Sequence, residues 1–231
     1  MSAPARPAFY ALRPGGWRDY VTLLHPPYTL WHLSYVALGA ALAPRMDWAL
    51  LGWTTLAFFL AMGVGAHALD ELAGRPLQTR IPARVLAALA AVSIGAACAI
   101  GCVIALNRTL WLLVFVAAGG FIVVAYNLEL FGGAFHSDLW FAAAWGAFPV
   151  LTAYFAAAHT LRAAAVAGAA YAFAGSWVQR QLSTPVRAVR RKPPSEVTEA
   201  ERAIAPIAER TLQVLAAASV LVAAALLLAR A

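Results

Sequence analysis

Long apolar stretches alternate with short polar ones along the chain, and this pattern predicts helices that cross a membrane. Runs of roughly 20 apolar residues recur, and about 20 residues are needed for a helix to cross a hydrocarbon layer of about 30 Å. The predicted spans are 28–44, 48–69, 83–105, 110–127, 139–158, 161–179 and 209–229. We therefore predict an all-α fold, a polytopic transmembrane helical bundle with about seven spans.

The composition supports the same fold class. Hydrophobic residues make up 63% of the chain and charged residues only 12%, whereas an ordinary soluble domain is about 45–50% apolar. A soluble core could not bury that much apolar surface, so the lipid bilayer is the expected partner. We find no sequence repeat and no boundary that would divide the chain into two domains. The chain is predicted to be one domain, 1–231, with an N-terminal segment 1–27 and a long loop 180–208 on the same side of the membrane.

The 17 Lys and Arg residues are distributed unevenly over the connections. Only four of them lie on one side: Arg45, Arg108, Arg162 and Arg230. The others alternate with these along the chain, and the positive-inside rule then predicts a multi-pass protein with a cytoplasmic N-terminus and an external C-terminus. The net charge of +7 fits this topology and contact with anionic lipid. Nucleic acid is not expected as a partner, because no soluble domain remains to carry a basic groove.

Candidate metal ligands gather at span ends on the cation-rich side. They are four acids and two histidines: His67, Asp70, Glu71, Glu129, His136 and Asp138. Ionisable groups at membrane depth are costly, so they usually face a cavity, a partner or an ion. Spacings of three and four residues place His67, Asp70 and Glu71 on one helical face. We predict a divalent-metal site. Its oxygen ligands suit Mg²⁺, and its two histidines would equally suit Zn²⁺ or iron. The alternative is that these groups are helix caps and hydrogen-bonding partners at the membrane interface.

The predicted loop 180–208 supplies cations that could bind a diphosphate. Arg180 and Arg187 lie nearest the preceding span, where guanidinium groups can hold a phosphate through paired hydrogen bonds. The segment 190–192 is expected to rest on anionic headgroups instead. His32 in the first span and Asn127 at the end of the fourth are further expected substrate contacts.

Residues 66–82 resemble a motif of the UbiA superfamily of intramembrane prenyltransferases. In that family the second helix ends in Asn-Asp-x-x-Asp-x-x-x-Asp, and an Arg-Pro-Ile-Pro-like segment follows. Asp70 matches one aspartate, and Arg80-Ile81-Pro82 partly matches the second segment. The motif's asparagine and two of its aspartates are replaced by Ala66, His67 and Gly74.

The resemblance continues downstream with two departures. Tyr126-Asn127 and Trp145-Gly146-Ala147-Phe148-Pro149 are similar to the family's fourth and fifth helices. The family's second aspartate motif is absent, and Gln179-Arg180-Gln181 stands in its region. Family members also typically have nine spans.

The resemblance implies a UbiA-like bundle with a cytoplasm-facing cavity and a metal-dependent enzyme that transfers or processes an isoprenoid, with a prenyl diphosphate as substrate. The residues expected to take part in catalysis are Asp70, Glu71 and Asp138. The alternative is a non-enzymatic UbiA-like protein that binds a lipid, quinone or isoprenoid or that partners another membrane enzyme. A homo- or hetero-oligomer, in which a partner chain supplies further helices, is a related alternative.

Overall fold

Helices build the whole of the part that the structure describes. The computed structural model describes residues 6–231, and no strand occurs within them. The α-helices are α1 (Trp17–Leu23), α2 (Pro26–Leu42), α3 (Trp48–Phe58), α4 (His67–Gly74), α5 (Ala83–Arg108), α6 (Leu112–Asn127), α7 (Leu130–Gly133), α8 (Asp138–Phe141), α9 (Phe148–Ala158), α10 (Ala163–Arg191) and α11 (Glu199–Leu228). Two π-helical stretches, π1 (Phe59–Ala66) and π2 (Ala142–Ala147), join α3 to α4 and α8 to α9. The predicted all-α fold is confirmed.

Several helices have the length and composition of membrane spans. Four are long and apolar enough to cross a membrane: Trp48–Gly74, Ala83–Arg108, Asp138–Ala158 and Glu199–Leu228. A fifth, α6, is apolar but shorter. These helices indicate a membrane protein, as the hydropathy pattern predicted.

Most predicted boundaries agree with the helices to within a few residues, but the segment 180–208, predicted as a loop, is mostly helical. Helix α10 continues to Arg191 and α11 begins at Glu199, so only residues 192–198 connect them. Pro185 and Pro206 lie inside these helices, although proline commonly marks a helix end. The start of α11 has a capping box, in which Thr198 and Glu201 satisfy each other's backbone N–H groups, and this favours helix well before the apolar stretch.

The long helices run alternately between two ends of the bundle. At the end that we call the opposite end, Asp47 before α3 pairs with Arg108 at the end of α5. At the same end Arg230, after α11, donates hydrogen bonds to carbonyl oxygens of Ala41 and Ala43 after α2. The other end, which we call the polar end, brings together α1, α4, the segment 128–138 and the last turns of α10. The N-terminal residues 6–25 therefore lie at one end and the C-terminus at the other.

Glycine allows two pairs of helices to touch through their backbones. A β-carbon at Gly39 in α2 would lie 2.4 Å from the carbonyl oxygen of Val150 in α9. One at Gly146 in π2 would lie 2.4 Å from the carbonyl oxygen of Ala172 in α10. Such small residues let helices approach closely where lipid offers no hydrophobic driving force. These contacts fix π2, which carries part of the site, against its neighbours.

Candidate functional site

A group of titratable side chains lies buried or half-buried at the polar end. We call it the polar cluster and define it by Tyr10, His25, His67, Asp70 and Arg187. Tyr10 comes from the N-terminal segment and His25 immediately precedes α2; His67 and Asp70 lie on α4, and Arg187 lies near the end of α10. The topology thus brings four separate parts of the chain to one place.

Two histidines are stacked in the cluster. The ring centroids of His25 and His67 are 4.0 Å apart and their planes differ by 10°. His67 Nδ1 donates to the carbonyl oxygen of Gly63 at 3.0 Å, which leaves the lone pair of the neutral ring on Nε2. Burial lowers the pKa of His25 well below its usual value of 6.5, with the charges of His67 and Arg187 acting in the same direction. We infer that His25 is neutral.

Tyr10 contributes a phenol from the N-terminal segment to the cluster. Its Oη lies 3.0 Å from His25 Nδ1. Burial, and then the neighbouring Tyr28, raise the pKa of Tyr10 above its usual value of 10, whereas Arg187 acts in the opposite direction. A protonated phenol beside a neutral imidazole can donate to Nδ1, which places the ring proton on Nε2. His25 Nε2 is buried and has no hydrogen-bond partner among residues 6–231.

Asp70 and Arg187 are the charged members of the cluster. Asp70 follows His67 by three residues in α4, and Arg187 lies four residues before the end of α10. Within residues 6–231, neither Asp70 nor Arg187 forms an ion pair. Both side chains are partly exposed. A carboxylate and a guanidinium group are therefore available here for a ligand.

Glu71, the neighbour of Asp70, forms hydrogen bonds within the protein. Its side chain is fully buried, and its oxygens accept hydrogen bonds from the N–H groups of Leu77 and Thr79, at 2.9 and 2.8 Å, and from the Thr79 hydroxyl at 2.8 Å. It thereby holds the connection between α4 and α5 in place. Glu71 lies in the same helix four residues after His67, as predicted, but its carboxylate points to the connection between α4 and α5.

Asp138, at the start of α8, is paired with α10. Its two oxygens accept hydrogen bonds from Arg180 Nε and from Gln181 Nε2, each at 2.8 Å. The Arg180 guanidinium also lies over the ring of Phe141, 5.4 Å from its centroid. Asp138 and Arg180, which were predicted as separate ligand contacts, are thus brought together as an ion pair.

His136 packs beside the end of α6. Its ring stacks on Tyr126 with centroids 4.5 Å apart, and its Nδ1 donates to the carbonyl oxygen of Tyr126 at 3.0 Å. Glu129 Oε1 is 3.8 Å from the same nitrogen, but the Glu129 side chain is 66% exposed. His136 is therefore the more buried of the two, with 31% of its side chain exposed.

The six predicted metal ligands do not form one coordination sphere. No group of three or more His, Cys, Asp or Glu side chains within residues 6–231 is arranged to hold a metal ion. Glu71 and Asp138 already satisfy hydrogen-bond donors of the protein. The arrangement fits a structural role for these two acids and leaves Asp70 as the unpaired carboxylate of the cluster.

The predicted substrate contacts His32 and Asn127 are both buried. His32 Nδ1 donates to the carbonyl oxygen of Trp145 in π2 at 2.9 Å. The Asn127 amide donates to the carbonyl oxygen of Val123 at 2.7 Å, within its own helix. Each therefore supports the backbone near the site.

An apolar cleft lies next to the polar cluster. It runs between the α3–π1 segment, α5, α6 and the π2–α9 segment, and its empty volume is about 840 Å³ including the part open to the surroundings. Its lining includes Thr54, Met62, Cys98, Gly120, Trp145 and Phe148. The cleft is suited to an apolar chain.

Tyr126 and Trp145 connect the cleft to the cluster. Their ring centroids are 4.6 Å apart, and Trp145 lines the cleft. Tyr126 Oη is buried without a hydrogen-bond partner among residues 6–231. One aromatic pair thus separates a charged region from an apolar one.

Sequence reasoning missed Tyr10, and it expected a cavity from the resemblance without predicting the residues that line the cleft. Tyr10 lies in a Pro- and Arg-rich segment that carries no helical periodicity, so nothing in the pattern places it over His25. The cleft depends on small residues scattered over four helices, such as Gly101, Gly119 and Gly120, and their frequency in the spans was the only available signal.

The resemblance to the UbiA superfamily rests on short stretches of sequence and stays a prediction. Asp70 lies in the polar cluster, and Trp145, from the second stretch, lies between the cluster and the cleft. Glu71 precedes the Arg80-Ile81-Pro82 segment and holds the connection that leads to it. Comparison of the chain with protein-family models, with curated proteins and with solved structures gives no match.

Proposed function

We propose that the protein is a divergent UbiA-like membrane enzyme that binds an isoprenoid diphosphate at the polar end and transfers or processes its isoprenoid group. One observation carries the proposal. Arg187 forms no ion pair within residues 6–231, and the ring of Trp145, which lines the apolar cleft, lies 4.6 Å from the ring of Tyr126 at the polar end. An amphipathic ligand with an anionic head and an apolar tail matches this arrangement.

The polar cluster would bind the head of the ligand. Arg187 offers a charge-assisted fork for phosphate oxygens. His25 Nε2 and Tyr126 Oη are buried polar atoms without partners among residues 6–231, and both can donate a hydrogen bond. Arg180 is a weaker candidate than Arg187, because binding a ligand would require it to share or leave Asp138.

We propose that Mg²⁺ binds together with the diphosphate. Mg²⁺ is often held by one or two carboxylates together with substrate phosphates, and Asp70 would be the carboxylate here. When bound, the ion would supply charge neutralisation on the diphosphate. A resident centre built from all six predicted ligands is not proposed, because Glu71 and Asp138 are occupied by protein donors.

We also propose seven membrane crossings with the polar end in the cytoplasm. The alternating direction of the long helices and the unequal distribution of cations between the two ends support this orientation. In a variant with Cys98 and Cys102 replaced by Ala, a cysteine at Thr109 should react with an impermeant thiol reagent in intact cells. A cysteine at Ser195 should be protected. The reverse pattern would contradict the orientation.

Binding of farnesyl diphosphate tests the proposed head site. With the protein in lipid nanodiscs, Arg187→Ala should weaken binding by about tenfold or more, as expected for loss of a charge-assisted hydrogen bond. Arg202→Ala is the matched control, since Arg202 is exposed and donates to the Pro194 carbonyl at the same end. Farnesol, which lacks the diphosphate, should bind both variants and the native chain equally. Equal affinity of all three proteins for farnesyl diphosphate would refute the head site.

A second candidate function is binding of an isoprenoid lipid without catalysis. The involvement of Glu71 and Asp138 in protein hydrogen bonds favours it, because few acids then remain for metal chemistry. Incubation of the purified protein with labelled farnesyl diphosphate, Mg²⁺ and a membrane extract that supplies acceptors separates the two functions. A labelled product that Asp70→Asn does not form supports the enzyme; binding without any product supports the carrier.

A further inference from the structure

We infer that a groove on the outside of the bundle binds one anionic phospholipid, with an acyl chain between π1 and α5 and the phosphate at Arg84. This inference goes beyond the proposed function and does not depend on it, because the groove is separate from the polar cluster and from the apolar cleft. It follows from where the groove opens, how deep it is and where its charged residue lies.

The groove, which we call the outer groove, runs along one face of α5. Its walls include Val85, Ala88, Val92 and Ala96 of α5 and Leu60 and Val64 of π1. Spacings of three and four residues place the four positions of α5 on one helical face. Ala88 is exposed, and Val92 is 71% exposed. The groove therefore opens sideways, towards the surroundings of the bundle.

Helix α5 separates the outer groove from the apolar cleft. Ile94 and Cys98 of α5 line the cleft, and the two linings share no residue in the part of the chain that the structure describes. A β-carbon at Gly65 in π1 would lie 2.6 Å from Ile94 Cγ1, so π1 and α5 are in close contact beside the groove. An occupant would therefore enter the outer groove from the bilayer and not through the cleft.

The depth of the outer groove matches one leaflet of a membrane. The lining of α5 extends from Arg84 to Ala96, and at about 1.5 Å per residue this wall is roughly 18 Å long. A hydrocarbon layer of about 30 Å gives each leaflet about 15 Å. Arg84 lies in the first turn of α5, next to the connection from α4 at the polar end. An acyl chain along the groove would thus place its head at Arg84 and its tail near the middle of the bilayer.

Arg84 supplies the charge of the outer groove. It is exposed and forms no ion pair within residues 6–231. The hydroxyl of Ser93, which also lines the groove, donates to the carbonyl oxygen of Leu89 in its own helix. The groove below Arg84 therefore needs no polar occupant.

This arrangement matches a phospholipid of the leaflet at the polar end. A guanidinium group binds phosphate oxygens through paired hydrogen bonds, and basic pockets beside membrane helices recognise anionic head groups. The apolar walls fit an acyl chain, and the sideways opening faces the bilayer, where phospholipids are the most abundant molecules. Charge and apolar surface thus both favour an anionic phospholipid.

Native mass spectrometry of the purified full chain tests the inference, with dioleoyl phosphatidylglycerol and dioleoyl phosphatidylcholine as probes. We expect the first phosphatidylglycerol to bind at least about fivefold more tightly than phosphatidylcholine, whose choline cation offsets the phosphate charge. Arg84→Ala should reduce this preference to less than about twofold. Arg13→Ala is the matched control, because Arg13 is also exposed at the polar end but does not line the groove.

A bulky side chain in the outer groove tests the position of the acyl chain. Ala88→Trp should weaken binding of both phospholipids by about tenfold, because the indole would occupy the place of the chain and remove its apolar contacts. Ala87→Trp is the matched control, since Ala87 is the preceding residue of α5, is exposed and does not line the groove. Val92→Trp provides a second variant if Ala88→Trp does not fold.

Several outcomes would overturn the inference. Equal affinity for the two phospholipids, or equal losses in Arg84→Ala and Arg13→Ala, would indicate a general basic surface. Unchanged binding in both groove variants would show that the chain lies elsewhere. Displacement of phosphatidylglycerol by glycerol 3-phosphate at a similar concentration would identify the occupant as a soluble phosphate.

Binding of farnesyl diphosphate separates this inference from the proposed function. Its affinity for Arg84→Ala and Ala88→Trp should stay within about twofold of that of the native chain. A loss of affinity in these variants as large as that for phosphatidylglycerol would overturn the inference, because the outer groove would then bind farnesyl diphosphate. If Arg187→Ala binds farnesyl diphosphate as the native chain does while Arg84→Ala loses the preference for phosphatidylglycerol, the proposed head site fails and the phospholipid site stands.

Discussion

An aspartate and an arginine that pair at the opposite end of the bundle contrast with an aspartate and an arginine at the polar end that form no ion pair in the part of the chain that the structure describes. At the opposite end, Asp47 accepts a hydrogen bond from the Leu50 N–H at 2.9 Å and pairs with Arg108, so it both caps α3 and joins α3 to α5. At the polar end, Asp70 and Arg187 form no ion pair within residues 6–231. Charges that satisfy each other hold helices together, whereas charges left without a partner near a cleft are available to a ligand.

Glu71 shows that the position of an acidic residue in the fold does not by itself decide whether it has a structural or a ligand-binding role. It follows Asp70 directly in α4, yet it is fully buried and accepts three hydrogen bonds from the connection after α4. Two adjacent acids therefore differ in the same way as Asp47 and Asp70 do. The following substitutions test this difference between structural and ligand-binding charges.

The largest effect on stability is expected for Glu71→Gln. The amide nitrogen of the substituted side chain would face an N–H donor of Leu77 or Thr79 and leave it unsatisfied, at a cost of about 2–3 kcal/mol in the free energy of unfolding. Thermal and denaturant unfolding in detergent micelles would measure the loss. Glu129→Gln is the control at the same end, since the Glu129 side chain is 66% exposed. Equal stability of the two variants would show that the hydrogen bonds of Glu71 contribute little.

Asp70→Asn should have little effect on stability and a larger effect on ligand binding. Its side chain has no ion-pair partner to lose, so the free energy of unfolding should change by less than about 0.5 kcal/mol. In the presence of Mg²⁺, the affinity for farnesyl diphosphate should fall by about tenfold, which corresponds to about 1.4 kcal/mol. Without Mg²⁺ the affinity should stay equal or rise, because a negative charge near the diphosphate is removed. A large loss of stability with unchanged Mg²⁺-dependent binding would contradict the assignment of Asp70.

Asp47 should make the opposite end sensitive to acid. The Leu50 N–H, and then Arg108, hold the pKa of Asp47 below its usual value of 3.8. Its contribution to stability is therefore complete above that value and is lost as the pH falls through the lower pKa of the folded state. Asp47→Ala should lower the free energy of unfolding by about 1 kcal/mol at neutral pH through loss of the cap.

Binding of farnesyl diphosphate should not change in Asp47→Ala. Asp47→Asn keeps a capping oxygen and should retain most of the stability at neutral pH while losing the acid dependence. Unfolding measured between pH 2 and pH 7, in steps of about one unit, distinguishes the two variants. A change in ligand affinity of Asp47→Ala would show that the two ends are coupled.

Hydropathy predicted much of the fold because the spans differ so strongly from their connections. Six of the predicted spans, such as 83–105, begin within about two residues of a helix. The exception is the last, because α11 begins at Glu199, in a stretch that carries Glu199, Glu201 and Arg202 before the apolar run. Local capping by Thr198 and Glu201 extends this helix, and a window of mean hydropathy does not detect caps.

The site could be predicted only in part, because residue type does not reveal hydrogen-bond partners. The helical spacing placed His67 and Asp70 on one face, and the structure brings both to the polar cluster with Arg187. The same spacing could not show that Glu71 would bind the backbone of Leu77 and Thr79. Nor could it show that Asp138 would pair with Arg180, 42 residues away. These partners depend on how the connections fold back over the helix ends.

The smallest effects are expected for Arg190→Ala, which distinguishes Arg190 from Arg187 near the end of α10. Arg190 donates to both oxygens of Glu209 in α11 and to the carbonyl oxygen of Arg6. Its loss should lower the free energy of unfolding by less than about 1 kcal/mol, since the pair is only half-buried. The affinity for farnesyl diphosphate should change by less than about twofold, against tenfold or more for Arg187→Ala. Unfolding and binding would be measured on both variants in the same nanodiscs. If both variants reduced binding equally and slightly, the end of α10 would be a basic surface for anionic headgroups, and the distinction between paired and unpaired charges would fail at this end.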